Sequence, residues 1–320
     1  MDLSFFLPKS FSEFSLILLS SVIVDWIYPE HKGIMYYIHP VHTSYELALL
    51  LNRKLPKNKL SGSLIWISVA SLHIAMYGSA LYFLRSIGDI AWIAFSVYIL
   101  KVSISQRLLF SYVKRTSKCL SQGDLRCARA ITSHIVRRDT SSLDEGHIAS
   151  ASIESLFESM VDGFISPIFF YLILGPLGAL LQRIANTMDS ALGYKDEEFR
   201  EKGWFSAKMD TILNFLPARI ASLITLLLCP CVDGSIEDGW SVFAEYRNST
   251  ERVNAGNPMS ASSGCLKVRL EKIGHYTIGR EFPFPSSEDL ERALKLAICE
   301  SLAYLIIVLL ISSSFYFLSN

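Results

Sequence analysis

Residues 64–84 read LIWISVASLHIAMYGSALYFL, without one Asp, Glu, Lys or Arg. As an α-helix, an uncharged apolar run of this length spans the roughly 30 Å hydrocarbon core of a bilayer. Residues 302–318, LAYLIIVLLISSSFYFL, repeat the pattern near the other end of the chain. Lipid offers no water to backbone N–H and C=O groups, so such runs cross as helices. Working outward, apolar segments near 12–29, 87–110, 161–182 and 212–230 join those at 61–84 and 294–318. The fold class they give is all-α: a polytopic helical membrane protein with about five or six apolar membrane segments and polar cytoplasmic loops. It reads as a single integral membrane domain over 1–320.

Composition agrees. The chain is 51% hydrophobic and 19% charged, below the ~25% charged usual for soluble domains, and its mean hydropathy is +0.33. Lys plus Arg and Asp plus Glu balance at 30 each, which gives no sign of a nucleic-acid partner. Phe14 to Tyr28 is no signal peptide: only Lys9 precedes it, Asp25 lies inside it, and no Ala-x-Ala site follows. Cys229-Pro230-Cys231, the only close cysteine pair, lacks Cys-x-x-Cys spacing and reads as small buried hydrophobes.

Charge between the segments sets the orientation. Lys32, Arg53, Lys54, Lys57 and Lys59 follow the first segment, and Lys114, Arg115, Lys118, Arg126, Arg129, Arg137 and Arg138 follow the third. Two crossings separate these loops, so both face the cytoplasm of a cell membrane by the positive-inside rule. Lys101 and Arg107, near one end of the third segment, are expected to snorkel. Gly175-Pro176-Leu177-Gly178 breaks the fourth segment. A broken or re-entrant stretch there returns the chain to the cytoplasmic face. Pro217 and Arg219 predict a kinked or partly inserted fifth segment. In the loop that follows, Asn257 looks like an N-cap and Pro258 like the first residue of a small-residue helix running to about Leu270. Ser286 or Ser287 caps the last helix. Short extended pieces fall near 275–284, without a convincing sheet signal.

Between Asp139 and Arg219 ionisable groups sit beside these apolar runs, where each costs several kcal/mol if left unpaired. Glu154, Glu158 and Asp162 are spaced i, i+4, i+8, which puts three carboxylates on one face of a helix. Mg²⁺ is one counter-charge for them; a solvated face with nearby arginines is the other reading. Asn186 and Asp189 share a face, and Gly193-Tyr194-Lys195 ends their helix. Lys195 either meets a phosphate as a point charge or is simply solvated. Asp210 and Asn214 share a face at i, i+4, and Arg219 needs a carboxylate or a ligand phosphate. The turn at Asn254 to Asn257 opens a helix N-terminus able to receive an anion, or an ordinary capped helix. His39-Pro40-Val41-His42 has nothing nearby to complete a metal site. No nucleotide, hydrolase or zinc-protease motif occurs.

Taken in order, these segments resemble the cobalamin-biosynthesis family CobD/CbiB, the adenosylcobinamide-phosphate synthases. The resemblance rests on Asp25, Pro29 and His39-Pro40-Val41, and on Arg138-Asp139-Thr140-Ser141-Ser142-Leu143. It continues through Glu154-Ser155, Glu158, Val161-Asp162-Gly163 and Pro167. Asn186-Thr187-Met188-Asp189-Ser190, Gly193-Tyr194-Lys195, Leu216-Pro217-Ala218-Arg219 and Asn254-Ala255-Gly256 complete it. The chain departs from the family pattern at Ser159, where Asn is usual, and at Asp210-Thr211, where Asp-Asp is usual. It departs again at Arg252-Val253 for Ser-Pro and at Leu270-Glu271-Lys272 for Leu-Gly-Gly.

The resemblance implies ATP-dependent amide ligation of adenosylcobyric acid with (R)-1-amino-2-propanol or its phosphate, giving adenosylcobinamide or its phosphate. ATP and Mg²⁺ are then co-substrate and activator, and the corrinoid is substrate rather than bound cofactor. The implied roles give Mg²⁺ to Glu154, Glu158 and Asp162, and catalysis to these three with Asp189 and Asp210. Substrate and phosphate binding falls to Arg138, Asp139, Asn186, Lys195, Asn214, Arg219 and Asn254. Expected partners are the lipid bilayer and other corrinoid-pathway membrane enzymes. A non-catalytic AmpE-like membrane sensor is the competing reading within the family's relatives. A transporter would need symmetry between halves, which the chain lacks.

Overall fold

The computed structural model describes residues 5–193 and 199–319. Its helices are, in chain order, α1 (Phe11–Ile27), α2 (Ile34–Tyr37), α3 (Pro40–Lys54), α4 (Lys59–Ile87) and α5 (Asp89–Ser103). Then come α6 (Gln106–Ser121), α7 (Leu125–Thr132), α8 (Glu145–Met160), α9 (Ser166–Leu192), α10 (Trp204–Leu213) and α11 (Phe215–Leu227). Last are α12 (Ile236–Tyr246), α13 (Gly256–Leu266) and α14 (Ser287–Ser319), with a hairpin of β1 (Leu270–Lys272) and β2 (Tyr276–Ile278) before α14. A π turn, Val161–Ile165, lies between α8 and α9. The chain is a helical polytopic membrane protein. Four helical stretches among the described residues are long and apolar enough to cross a membrane: Lys59–Ile87, Asp89–Ser121, Glu145–Leu192 and Ser287–Leu318. The pair α10 and α11 makes a fifth if it is one broken span. At 1.5 Å per residue α1 is only about 26 Å long, short of a full crossing by itself.

The chain packs into two compact units, each drawn from separate stretches. One holds the described residues of Met1–Ser105, Asp162–Leu213 and Val308–Asn320; the other holds Gln106–Val161 and Asn214–Ile307.

In the first unit α3, α4, α5 and α10 pack on α9, and α1 packs on α5. The Tyr171 hydroxyl donates to the Phe14 carbonyl at 3.0 Å, and the two rings stack 4.6 Å apart. Outward positions of α4 such as Leu64, Leu72, Met76 and Phe83 stay exposed, as a face meant for lipid would. The break foreseen in the fourth apolar segment is present. Gly175 leaves helical geometry at φ 65°, ψ −159°, ahead of Pro176, yet α9 resumes and runs on to Leu192. Lys101 does not snorkel. It is 4% exposed, because the chain after α1 folds back and brings His31 Nε2 to 3.3 Å from its Nζ. His39 caps α3 by accepting the Val41 N–H at its Nδ1, with Pro40 as the first helical residue. Lys202 is buried and donates to the main-chain carbonyls of Asn52 and Leu55, at the C-terminal end of α3.

In the second unit every residue of α13 is buried, and α8, α11 and α12 pack around it. Its small side chains are what allow such close approach. Its start differs from expectation. Ala255 is the N-cap with no side-chain hydrogen bond, while the Asn257 amide donates back to the carbonyls of Val253 and Asn254. The helix stops at Leu266 because Lys267 turns left-handed, and the chain enters the hairpin, whose second strand falls within the extended stretch foreseen near 275–284 and whose first lies ahead of it. Ser286 caps α14, exchanging hydrogen bonds with Asp289. Of the close pair Cys229 and Cys231, Cys231 stays a free thiol but Cys229 is more than a small hydrophobe. Cys229 bonds to Cys265, and Cys119 to Cys127; a partner 36 positions away leaves no spacing signal.

Candidate functional site

In the second unit the turn from Arg138 to Leu143 is built by its own polar atoms. Asp139 accepts the Ser141 N–H at 2.9 Å and the Ser141 hydroxyl at 2.8 Å, and these bonds hold its carboxyl below the usual range. Thr140 donates to the Arg129 carbonyl, and Arg129 Nε to the Leu143 carbonyl. So clamped, the turn sends Arg138 to Glu154 of α8, with NH2 3.0 Å from Oε1. Glu154 is 5% exposed. It also accepts from Ser150 at 2.6 Å and from the Tyr276 hydroxyl at 2.7 Å. Burial and the Glu154 carboxylate push the Tyr276 phenol well above its ordinary value, so Tyr276 remains a donor. The hairpin is pinned to the same place: the Glu271 N–H donates to Ser150 at 2.8 Å, and Arg138 NH1 reaches the Glu271 carbonyl. Ser150 and Tyr276 carry no sequence signal. A tyrosine on a three-residue strand meets Glu154 only through a fold-level contact 122 positions long.

Glu158, one turn further along α8, faces Arg252 at 3.5 Å with both side chains partly exposed. Arg219 stacks on Phe215, 3.4 Å from its ring centre, and donates to the Phe215 carbonyl and to Asn254 Oδ1 at 3.1 Å. The structure therefore joins Arg219 to Asn254, a pair the sequence leaves apart. Asn214 is buried at the break between α10 and α11.

In the first unit the Asn186 amide donates to Asp210 Oδ1 at 3.2 Å. Asp189 is 4% exposed and folds over the helix end. A Cβ on Gly193 would stand 2.0 Å from Asp189 Oδ1, so glycine is needed there for more than stopping α9. Asp162 lies in the π turn, not in α8. The α-helical spacing from Glu154 and Glu158 thus ends at Met160, and the expected stripe of three carboxylates is not continued. Arg183 of α9 is the cation that favours Asp162 electrostatically. Lys195 lies outside the described residues.

Among the described residues no three His, Cys, Asp or Glu side chains are arranged to hold a metal ion. Glu154 already accepts from Arg138, Ser150 and Tyr276, and Glu158 faces an arginine. These residues do not fit a dedicated magnesium centre at Glu154, Glu158 and Asp162, and no chemistry is derived through one.

The chain matches the family described as CobD/Cbib protein over residues 18–297. It belongs to the CobD/Cbib family. It is 39% identical over 289 residues to a protein of Aeropyrum pernix named "Probable cobalamin biosynthesis protein CobD", covering 90% of each chain. Proteins of the same name from Thermoplasma volcanium and Methanothermobacter thermautotrophicus are 35% and 33% identical. Those matches cover 92% and 89% of this chain, and 96% and 93% of the relatives. No solved structure matches it. Within the CobD/Cbib match fall both the Arg138–Glu154–Tyr276 network and the Asn186–Asp210 pair.

Proposed function

We propose that this protein is a membrane enzyme of cobalamin biosynthesis that joins adenosylcobyric acid to (R)-1-amino-2-propanol or its phosphate. The observation that carries the reading is the family match across residues 18–297. Inside it, Arg138, Thr140, Glu154, Asn186 and Asp189 are held by hydrogen bonds or burial. On this reading the polar clusters face the cytoplasm from the plasma membrane, and other corrinoid-pathway membrane enzymes are neighbours.

A carboxylate is a poor electrophile, so ligation proceeds through activation. The corrinoid carboxylate attacks the γ-phosphorus of ATP, forming an acyl phosphate and releasing ADP. The ammonium first gives one proton to a carboxylate; the amine attacks the acyl carbon, the C–O bond to phosphate breaks, and the leaving phosphate takes the nitrogen's second proton as the amide forms. Any Mg²⁺ arrives with the nucleotide phosphates. Arg219, held by Phe215 and Asn254, offers a pre-positioned guanidinium for phosphate oxygens. Arg138 is fixed by Glu154, and its remaining N–H groups are available to a substrate oxygen. Taken by itself, the first unit offers Asp189 and the Asn186–Asp210 pair as carboxylates and an amide oxygen able to receive an ammonium.

Asp189→Asn is expected to lower turnover at least 100-fold while leaving the protein inserted and its melting temperature within about 3 °C. Turnover is followed by product mass on membranes supplied with adenosylcobyric acid, aminopropanol phosphate, Mg²⁺ and ATP. A product heavier by amide-linked aminopropanol phosphate, and absent without ATP, supports the ligase reading. Inserted protein that makes no product with either the free or the phosphorylated amino alcohol points to a non-catalytic sensor instead.

A further inference from the structure

Outside the residues given a role above, the turn from α3 into α4 in the first unit is strongly basic. It reads Arg53-Lys54-Leu55-Pro56-Lys57-Asn58-Lys59, and no acid stands between Glu46 and Asp89. All four cations are exposed, and among the described residues none of them is in an ion pair. The ordinary work of Arg53 and Lys54, in the last turn of α3, is to answer that helix's carbonyl end. Here the buried Lys202 answers it, donating to the carbonyls of Asn52 and Leu55. The two surface cations are left facing outward.

The patch also sits where a membrane span begins. Lys59 is the first residue of α4, and Lys59–Ile87 is long and apolar enough to cross. Leu60, Leu64 and Ile67 are exposed. At i, i+4 and i+7 they share one face, an apolar strip that leads away from the cations. Trp204 of α10 is 46% exposed, and Lys59 Nζ lies 5.4 Å from its ring centre. Tryptophan is enriched at headgroup level in membrane proteins, and the α4 N-terminus adds positive charge of its own. Orientation by the positive-inside rule asks only for charge in the loop. It calls for neither a tryptophan beside the lysine nor an apolar strip starting at the next residue.

We propose that Arg53, Lys54, Lys57 and Lys59, with Trp204, form a docking surface for the headgroup of an anionic phospholipid whose acyl chains lie along Leu60, Leu64 and Ile67. The lipid phosphate accepts charge-assisted hydrogen bonds from the ammonium and guanidinium groups. The Trp204 ring sits at the level of the glycerol backbone. A zwitterionic lipid fits the same apolar strip but brings its own cation to the basic patch, so the surface selects by headgroup charge.

The test is native mass spectrometry of the detergent-solubilised full chain, titrated with phosphatidylglycerol or with phosphatidylcholine of the same acyl chains. Phosphatidylglycerol is expected to bind saturably and about 10-fold more tightly, a preference that shrinks in higher salt as exposed charges are screened. Lys57→Gln combined with Lys59→Gln should weaken it about 10-fold or more, since each cation near the surface is worth about 5-fold. That variant keeps Asn58, whose side chain accepts the Ser61 N–H and caps α4. Removing two charges from α6 instead, with Lys114→Gln and Lys118→Gln, should change binding by no more than about 2-fold, because screening confines each charge to its surroundings. Independently of any charge variant, brominated phosphatidylglycerol should quench tryptophan emission more in the wild type than in Trp204→Phe. Equal retention of the two lipids overturns the site, as does an equal loss in the α6 control or quenching indifferent to Trp204→Phe. Displacement of the lipid by millimolar inorganic phosphate would overturn it too, in favour of a free phosphate. No ligase activity enters these readouts, so the proposal fails or succeeds separately from the ligase reading.

Discussion

Glu154→Ala is expected to destabilise the protein by about 3–5 kcal/mol, the usual cost of removing one partner from a buried ion pair. Its carboxylate is the common acceptor for Arg138, Ser150 and Tyr276. Truncation strands a guanidinium and two hydroxyls that this carboxylate had satisfied. Thermal unfolding in detergent reads the loss. A double-mutant cycle with Tyr276→Phe should show coupling of about 0.5–3 kcal/mol, as for residues sharing one network. The variant also separates two roles for this residue. If Glu154 ligated magnesium, a conservative Glu154→Gln would lose activity that raised Mg²⁺ partly restores. As a structural acceptor it should show no such recovery. A melting temperature unchanged by Glu154→Ala would refute the network.

The second large effect is expected at Gly175→Ala. With φ at 65° and ψ at −159°, this residue occupies a region that is essentially glycine's alone, and strain there costs about 1–3 kcal/mol. A Cβ would also stand 2.9 Å from the Phe6 carbonyl oxygen and 3.0 Å from Leu7 Cδ2. Overpacking of this kind adds about 1–3 kcal/mol. The summed loss of about 2–6 kcal/mol should appear as a lower midpoint in the same thermal assay. A neutral substitution would mean that α9 straightens at little cost, so that the break is no requirement of the fold.

What the sequence shows of this molecule is what has a short period. Uncharged runs of 20 residues identify membrane helices, Gly175-Pro176 marks a break, and Gly193 marks the end of α9, because each signal is local. The departures come from contacts between distant positions. Lys101 looks like a snorkelling lysine until the chain after α1 returns His31 to it. Glu154, Glu158 and Asp162 look like one stripe until a π turn interrupts the helix after Met160. Arg138 and Glu154 are both visible as polar residues in apolar company, but their pairing, and the part taken by Tyr276, depends on where a hairpin lands. Asn257 has the residue type of a cap, yet its amide turns back to the preceding carbonyls, so the α13 N-terminus lacks the side chain expected there.

Lys202 carries a consequence of a different kind. Its ammonium closes the end of α3 on the carbonyls of Asn52 and Leu55, while Arg200 and Glu201 beside it are exposed. To trypsin the sequence offers two cleavage points two residues apart, and the folded protein offers one. In native vesicles a nick after Arg200 with none after Lys202 would report that this unit is folded and which side of the bilayer the site faces, with no substrate required. Loss of that asymmetry would mark the helix end coming undone.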